Sequence, residues 1–232
     1  MIEITWLGHA TVQFRLDSGE VILMDPWVEG NPKYPKDHKI DRLDAILISH
    51  AHFDHIHDAV PLANQFKPKV VAIFETCVWL TSKGVENCSG MNKGGTQEVG
   101  PLTATMTHAV HSCGIQDGDQ MIYGGEAAGY VLHLPDKRAV YFAGDTAVFS
   151  DMQLIAQLYQ PELAFLPIGD FYTMDPRQAA LACRLLNVKQ VIPMHFGTFP
   201  ALTGNPDELR RQLMDFPHTE VWPLEIGKPV NW

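Results

Sequence analysis

The chain has 232 residues with a formal net charge of −10, and 46% of its residues are hydrophobic while 19% are charged. This length and composition predict one large folded domain over residues 1–232, with room for a sizeable core. The acidic charge and the lack of a basic run argue against nucleic acid as a partner. No apolar stretch approaches the roughly 18 residues of a membrane span, so we expect no membrane partner either.

The four cysteines show no C-x-x-C pair and no spacing typical of a disulfide framework; they are Cys77, Cys88, Cys113 and Cys183. A chain with this cysteine usage is predicted to keep reduced thiols. The N-terminal segment also has no basic region typical of a signal peptide. Together these features favour a cytoplasmic location.

Three segments near the start of the chain are typical of β-strands: 2–7, 11–16 and 20–24. Their short connections predict an antiparallel meander. His9 lies in the first connection and is either a hydrogen-bonded core histidine or a group close to a functional site. Asp25 follows the third segment, where its carboxylate either begins a loop or orients a neighbouring histidine.

Three histidines and an aspartate fall within six positions, directly after a short apolar run that predicts a buried strand. In an extended backbone, His50 and His52 would point to the same side. Asp54 and His55 follow in a predicted turn, which would direct them elsewhere. Imidazole and carboxylate groups are suitable ligands for zinc, iron or manganese. The stretch therefore predicts a place for one cation at the strand end and for a second in the turn.

The remainder of the chain alternates between helical and extended patterns. Polar connections are predicted at 27–39, at 86–100 with a short strand inside it, and at 112–120. Helices are predicted to begin at the N-caps Asp58 and Asp175, the second followed by a proline at the first helical position. The other predicted elements are helices over 76–83, 151–159 and 207–214 and strands over 69–74, 102–110, 127–134, 139–143, 163–166, 189–194 and 219–224.

Further candidate ligands stand at the ends of later strands. His108 and His111 have opposite parity, so an extended backbone presents only one of them to a given face, and the pattern alone does not choose. Asp145 and His195 each come at the end of a predicted strand. Loops at one end of a sheet scaffold usually carry functional groups. We therefore expect these side chains to converge with the first cluster.

These motifs resemble those of the metallo-β-lactamase superfamily, whose signature has the form H-x-H-x-D-H, as in residues 50–55. The resemblance extends over essentially the whole chain. It is closest to the branch that contains the ascorbate-6-phosphate lactonase and a set of small metal-dependent hydrolases, through the triplet Gly8-His9-Ala10, the loop 168–174 and the segment 194–199. It implies an α+β fold, a four-layer αββα sandwich with its site at one edge.

The resemblance also implies seven ligands for two divalent metal ions, which could be zinc, manganese or iron. The first metal would be held by His50, His52 and His111, the second by Asp54, His55 and His195, and Asp145 would bridge them. In this family the third histidine is typically followed by serine, which favours His111 over His108. Asp54, Asp145 and His9 are the candidate catalytic side chains, His9 because this branch places it near the metals.

The implied activity is that of a metal-dependent hydrolase. Two metals about 3.5–4 Å apart share a hydroxide whose pKa falls towards 7, and that hydroxide attacks an ester, lactone or phosphoester. Two cations bring about four positive charges against two ligand carboxylates and one hydroxide, so the site keeps roughly one positive charge. This charge favours a small, anionic substrate molecule, as in the lactonase branch. Whether the chain forms a homo-oligomer is left open.

Aromatic and basic side chains near the motifs are candidates for substrate contacts. Phe171, Tyr172 and Phe196 either wall a compact pocket or pack between loop and core. The loop 27–39 is expected to overhang the site, where one of its lysines could reach a phosphate; these are Lys33, Lys36 and Lys39.

Three other functions are compatible with the resemblance. A phosphodiesterase or nuclease-type member would share the ligands, although nucleases of the family have basic surfaces or an inserted domain, and this chain shows neither. A di-iron oxidoreductase of the flavodiiron type would have glutamate in place of His52, together with a flavin domain. A metal-binding protein without activity would be expected to have lost ligands, whereas all seven are present.

Overall fold

The computed structural model describes residues 1–232, with sixteen strands and six helices. The strands are β1 (Ile2–Trp6), β2 (Val12–Leu16), β3 (Val21–Met24), β4 (Ala45–Leu47), β5 (Lys69–Ile73), β6 (Cys88–Met91), β7 (Thr96–Val99), β8 (Leu102–His108), β9 (Gly114–Asp117), β10 (Gln120–Tyr123), β11 (Ala128–His133), β12 (Ala139–Phe142), β13 (Leu163–Pro167), β14 (Gln190–Met194), β15 (Glu220–Val221) and β16 (Val230–Asn231). The helices are α1 (Phe53–Ile56), α2 (Ala59–Phe66), α3 (Phe74–Ser82), α4 (Met152–Tyr159), α5 (Pro176–Leu186) and α6 (Pro206–Gln212). None of these helices has both the length and the apolar character that crossing a bilayer requires.

Two seven-stranded sheets form the centre of the fold, in the orders β16-β1-β2-β3-β4-β5-β6 and β15-β14-β13-β12-β11-β8-β7. Each sheet is antiparallel on one side and parallel on the other, from β3 to β6 in the first and from β12 to β15 in the second. The start of the chain forms the predicted antiparallel meander. A separate small sheet pairs β9 with β10.

The larger core lies between the two sheets. Phe14 and Phe165 meet there from opposite sheets in a T-shaped pair, with ring centroids 5.5 Å apart. The side chains of β12 alternate, so that Phe142 faces this core while Tyr141 packs in a second core with Ile155 of α4. On the outer side of the first sheet, α3 packs against β5 and β6. The expected α+β sandwich, with sheets between layers of helices, is confirmed.

The polar connections contain more strand than the sequence predicts. Segment 86–100 contains β6 and β7, which belong to different sheets, and segment 112–120 contains β9 and the first residue of β10. The predicted last strand is reduced to Glu220–Val221, and the chain ends in β16, which pairs with β1. These strands are short and are stabilised by partners distant in sequence, which local patterns do not reveal.

The two predicted helix caps have different outcomes. Asp175 caps α5 as expected, and its Oδ1 accepts a hydrogen bond from the backbone N–H of Gln178 at 2.7 Å. Asp58 stands at the N-cap position of α2 but makes no capping hydrogen bond. Its Oδ2 accepts instead from the backbone N–H groups of Val28 and Glu29. The carboxylate therefore ties the loop after β3 to the start of α2.

The prediction of four reduced thiols is wrong for two of them. Cys77 in α3 and Cys88 in β6 form a disulfide, whereas Cys113 and Cys183 are free and buried. The packing of α3 against β6 brings the two half-cystines together. This is a tertiary relationship, and the spacing of the cysteines along the chain does not indicate it.

Candidate metal centre

The candidate ligands lie where strands of both sheets end. His50 comes just after β4, Asp145 just after β12, and His195 directly after β14. All three strands have parallel neighbours, and in parallel sheets the carboxyl ends of the strands share one edge. The short helix α1 and the segment after β8 supply the remaining ligands. The sequence prediction that these side chains converge is supported by this geometry.

Asp145 occupies the centre of the arrangement. Its Oδ2 atom lies 3.0 Å from Nε2 of His195 and 3.4 Å from Nε2 of His55. The same oxygen is 3.9 Å from Nε2 of His50 and 3.8 Å from Nε2 of His111. One carboxylate therefore borders histidines of both predicted ligand groups, which is the position that a bridging ligand requires.

Three histidine nitrogens of the first predicted group face one another. Nδ1 of His52 lies 3.0 Å from Nε2 of His50 and 3.3 Å from Nε2 of His111. A neutral imidazole has one donor and one acceptor, so three ring nitrogens that meet cannot all satisfy one another. Oγ of Ser49 lies 3.1 Å from Nδ1 of His50, which leaves Nε2 of that ring facing His52. The group has the form of a cation site.

The sequence pattern does not distinguish His108 from His111 as a ligand, but the two side chains lie in different surroundings. His108 is the last residue of β8, is exposed, and its Nδ1 lies 3.0 Å from Nζ of Lys93. His111 lies beyond the strand end, with its ring centroid 5.0 Å from that of His50 and 5.0 Å from that of His52. Only His111 is placed with the other candidate ligands.

The second group contains buried polar atoms without a hydrogen-bond partner. These are Nε2 of His55, both ring nitrogens of His195, and Oδ1 of Asp145. Nε2 of His195 is close to Asp145, yet no hydrogen bond of acceptable geometry joins them. Buried polar atoms in proteins nearly always have a partner. Because imidazole and carboxylate are common ligands of divalent metals, a cation fits these atoms.

A buried carboxylate behind the ligands holds one of them in place. Oδ2 of Asp25 lies 2.7 Å from Nδ1 of His55, so Nε2 of that ring points towards Asp145. Oδ1 of Asp25 accepts a hydrogen bond from the backbone N–H of Ser49, and Oδ2 accepts one from its hydroxyl. Of the two roles open to Asp25 from its sequence, the structure supports the orientation of a histidine.

His9 contacts the second group from behind. Its Nε2 lies 2.8 Å from Oδ2 of Asp54, its Nδ1 lies 2.9 Å from Oγ1 of Thr198, and its ring centroid is 3.9 Å from that of His195. With Asp54 ionised, Nε2–H donates to the carboxylate and Nδ1 accepts from the threonine hydroxyl. The ring is fully buried and does not reach the open side of the site. His9 therefore contacts candidate ligands and is not exposed to a substrate.

The backbone is left-handed at three positions of the site. His9, Asp25 and His195 have φ angles of 54°, 45° and 57°, and they stand in the connections that leave β1, β3 and β14. This conformation costs a residue with a Cβ about 1–2 kcal/mol. Such costs are found mostly where surrounding structure and function require them. The three turns are therefore further support for a functional site at this edge.

The charges of the metal-free chain differ between the two groups. Burial lowers the pKa of the three histidines of the first group, His50, His52 and His111. Burial also disfavours the charged forms of His55 and His195, but the attraction of nearby carboxylates outweighs the effect of burial. The pKa of His55 therefore lies well above its usual value, and the pKa of His195 is raised to about 9. Burial alone would raise the pKa of Asp54 and Asp145, yet the neighbouring histidines lower both. Without metal, the histidines of the second group therefore carry a charge beside their carboxylates, and those of the first group are neutral.

A cavity of about 860 Å³ opens beside the ligands. Tyr172 lines it, as one of the two interpretations of the aromatic loop predicts. Phe171 is exposed and does not line the cavity, and Phe196 packs on Trp6 with ring centroids 5.4 Å apart. Of the three aromatic candidates, one therefore belongs to the wall.

The loop 27–39 does not overhang the site as expected. None of its lysines lines the cavity. The backbone of Lys33 lies against Gly8, where an added Cβ would come within 2.9 Å of its carbonyl carbon, and Pro35 lies against Gly227. The start of the loop contacts a residue behind the ligands, since Trp27 packs edge-on against His9 with ring centroids 5.1 Å apart.

Sequence reasoning missed several residues of the cavity wall, among them Gln116, Met121 and Phe199. Gln116 and Met121 are directly opposite each other in the β9–β10 hairpin. Gln116 lies in the segment 112–120 that was predicted to be a connection, and Met121 follows that segment. Phe199 belongs to the segment 194–199 that carried the family resemblance, so the sequence did hold a signal for it.

Comparisons with known proteins point to one family of hydrolases. Residues 20–196 match a family model described as a β-lactamase superfamily domain. A metal-dependent hydrolase from Solibacter usitatus is 71% identical over 231 residues, covering 100% of both chains, and one from Koribacter versatilis is 58% identical over 211 residues, covering 90% of this chain and 91% of that one. The solved structure of Igni18, a metallo hydrolase from the archaeon Ignicoccus hospitalis, has a TM-score of 0.86 at 34% identity and covers 99% of this chain and 97% of its own.

Proposed function

This chain belongs to the metallo-β-lactamase superfamily and is a metal-dependent hydrolase, and we propose that it cleaves a small ester, lactone or phosphoester at a centre of two divalent cations. The observation that carries the proposal is the group of buried, unpartnered nitrogen and oxygen atoms that converge beside an open cavity. Zinc, manganese and iron all suit this set of ligands.

The seven candidate ligands divide between two cations. One would be held by His50, His52 and His111, the other by Asp54, His55 and His195, with Asp145 shared between them. When bound, the two cations lower the pKa of a water molecule between them and polarise the carbonyl or phosphoryl oxygen of the substrate. Asp54 and Asp145 border the cavity, and we assign them as the catalytic carboxylates.

Residues behind the ligands keep them ready to bind. The carboxylate of Asp25 contacts Nδ1 of His55, and the hydroxyl of Ser49 contacts Nδ1 of His50. Both rings therefore direct Nε2 towards the centre. His9 donates to one oxygen of Asp54 and thereby fixes its carboxylate. Such contacts typically change metal affinity by about 10- to 100-fold when they are removed. His9 acts through Asp54, so we assign it as a positioning residue.

The charge of the loaded centre favours an anionic reacting group. Two cations against two carboxylates and one hydroxide leave roughly one positive charge. No lysine or arginine lines the cavity, so the attraction for an anion is confined to the metals. We therefore place the negative charge of the substrate, or the charge that develops during attack, at the metals.

A substrate screen tests the reaction class. Metal-depleted protein is loaded with zinc, manganese or ferrous iron, and initial rates are measured for a sugar lactone, an aryl phosphodiester, an aryl ester and a β-lactam. Hydrolysis of one of the first three that needs added metal supports the proposal. The absence of hydrolysis of all three with every metal would reject it.

A matched pair of histidine variants ties the activity to the site. His111→Ala should lower kcat/KM by about 100-fold or more, because it removes a proposed ligand. His108→Ala changes an exposed histidine three positions away and should leave kcat/KM within about twofold. Equal losses in the two variants would mean that the activity does not depend on the proposed centre.

A further inference from the structure

We propose that the cavity beside the metal centre is a subsite for an uncharged, apolar group of the substrate, such as an aryl ring, held between Met121 and Phe199. This inference rests on the proposed function and deepens it by naming the chemistry of the part of the substrate that does not react. The two side chains belong to the β9–β10 hairpin and to the loop after β14, and both line the cavity.

The charge of the cavity wall is the first argument. Apart from the candidate ligands, no Lys, Arg, Asp or Glu lines the cavity, and its other polar side chains, such as Ser112 and Gln116, are neutral. A charged group placed there would lose hydration without gaining a partner of opposite charge. An uncharged group would lose little hydration free energy, so the wall selects against a charged group at this end of the substrate.

One wall is a fixed aromatic surface. Phe199 stacks on Trp27 with ring centroids 5.8 Å apart and planes 25° from parallel. Phe53 of α1 packs against both rings, at 5.6 Å from Trp27 and 6.4 Å from Phe199. Trp27 is buried, so the cluster is anchored in the core. Phe53 and Phe199 of this cluster line the cavity and supply its aromatic surface.

Another part of the wall is an apolar and flexible side chain, that of Met121. Met121 is 67% exposed although it lines the cavity. Its thioether lies across Gly114 on the neighbouring strand, where an added Cβ would be 2.6 Å from Sδ. The absence of a side chain at Gly114 thus leaves room for this thioether beside the cavity. Methionine adapts its shape to a partner and makes favourable contacts with aromatic rings.

Apolar surface at the cavity would be covered by such a substrate. Phe53, Met121 and Tyr172 all line the cavity and are each more than half exposed. The loop that carries Tyr172 is joined to the site by a backbone hydrogen bond, in which Met174 donates its N–H to the carbonyl of Thr146, next to Asp145. Exposed apolar groups gathered around a concave site are typical of a binding surface.

Binding of three hydroxamic acids to zinc-loaded protein tests the subsite without requiring turnover. Acetohydroxamate, benzohydroxamate and 4-carboxybenzohydroxamate share a metal-binding head and differ in the group that would enter the cavity. Benzohydroxamate should bind about tenfold more tightly than acetohydroxamate, because its ring covers apolar surface. The added carboxylate should remove most of that gain.

Two lysine substitutions in the same strand supply the matched control. Met121→Lys should tighten binding of 4-carboxybenzohydroxamate by about fivefold or more and weaken binding of benzohydroxamate, because it places a cation at the wall. Gln120 is exposed, and alternation in β10 turns its side chain to the opposite face of the hairpin. Gln120→Lys should therefore leave all three affinities within about twofold of the native values.

Each outcome separates the subsite from the proposed function. Equal binding of acetohydroxamate and benzohydroxamate, or tighter binding of the carboxylate by native protein, would overturn the subsite. The same holds if Gln120→Lys acts like Met121→Lys. If the expected order of affinities is found but no ester, lactone or phosphoester is hydrolysed, the subsite stands and the proposed function fails. If none of the three binds while an ester, lactone or phosphoester is hydrolysed, the subsite fails and the proposed function stands.

Discussion

The carboxylate of Asp25 lies 2.7 Å from Nδ1 of His55, across 30 positions of the chain, and both side chains are fully buried. Asp25 directly follows β3 and has a left-handed backbone conformation, and its side chain contacts His55 of α1. The contact fixes which nitrogen of His55 faces Asp145. A residue that touches no substrate thereby sets the geometry of a proposed metal ligand.

Replacing Asp25 by asparagine should weaken the second metal more than the first. The amide keeps the size of the side chain but removes the charge that orients His55, and loss of such a contact costs about 10- to 100-fold in metal affinity. Stepwise metal titration of the variant measures both sites. Asp41→Asn, a change at an exposed carboxylate, is the control and should bind metal like the native protein. Unchanged affinity in Asp25→Asn would exclude the orienting role.

Asp145→Ala should damage both metal sites, whereas His195→Ala should mainly weaken the second. The physical reason is that Oδ2 of Asp145 borders histidines of both groups, while His195 faces one. Metal titration of the two variants, side by side, measures the losses at each site. If both variants lose the same site to the same degree, Asp145 does not bridge.

Proton release should distinguish the two metals. His195 has a pKa of about 9 in the metal-free chain and is protonated at pH 7.5, so it must lose a proton before it can bind a cation. The histidines of the first group have lowered pKa values and are already neutral. The affinity of the second site should therefore fall as the pH drops from 9 to 7, while that of the first stays nearly constant.

Calorimetric titration with zinc in two buffers of different ionisation enthalpy counts these protons. The tighter, first equivalent should release almost none at pH 7.5, and the second should release at least one. Equal proton release for both equivalents would contradict the difference in charge between the two ligand groups.

The positions of three candidate ligands were predictable because each of them follows a strong local pattern. An apolar run predicts β4 before His50, and others predict β12 before Asp145 and β14 before His195. Alternation along a strand could not decide between His108 and His111, because β8 ends at His108 and the rule applies only within extended backbone. The resemblance to a family supplied that choice.

The cavity wall was less predictable, since it depends on contacts between distant segments. The β9–β10 hairpin is half exposed and has no continuous apolar face, so its strands carry little local signal. The loop 27–39 has lysines that could bind a phosphate, yet the loop packs against Gly8 and Gly227, and none of these lysines lines the cavity. From its sequence Phe196 could line a pocket or pack between loop and core, and in the fold it packs on Trp6.

The central claim is that the converging histidines and aspartates bind two divalent cations, and metal content measures it most directly. Purified protein is stripped of metal, supplemented with excess zinc or manganese, freed of unbound ions and assayed by elemental analysis against protein concentration. The proposed arrangement predicts a value close to two equivalents per chain. Saturation at one equivalent would remove the second site, and a value near zero would contradict the metal centre as a whole.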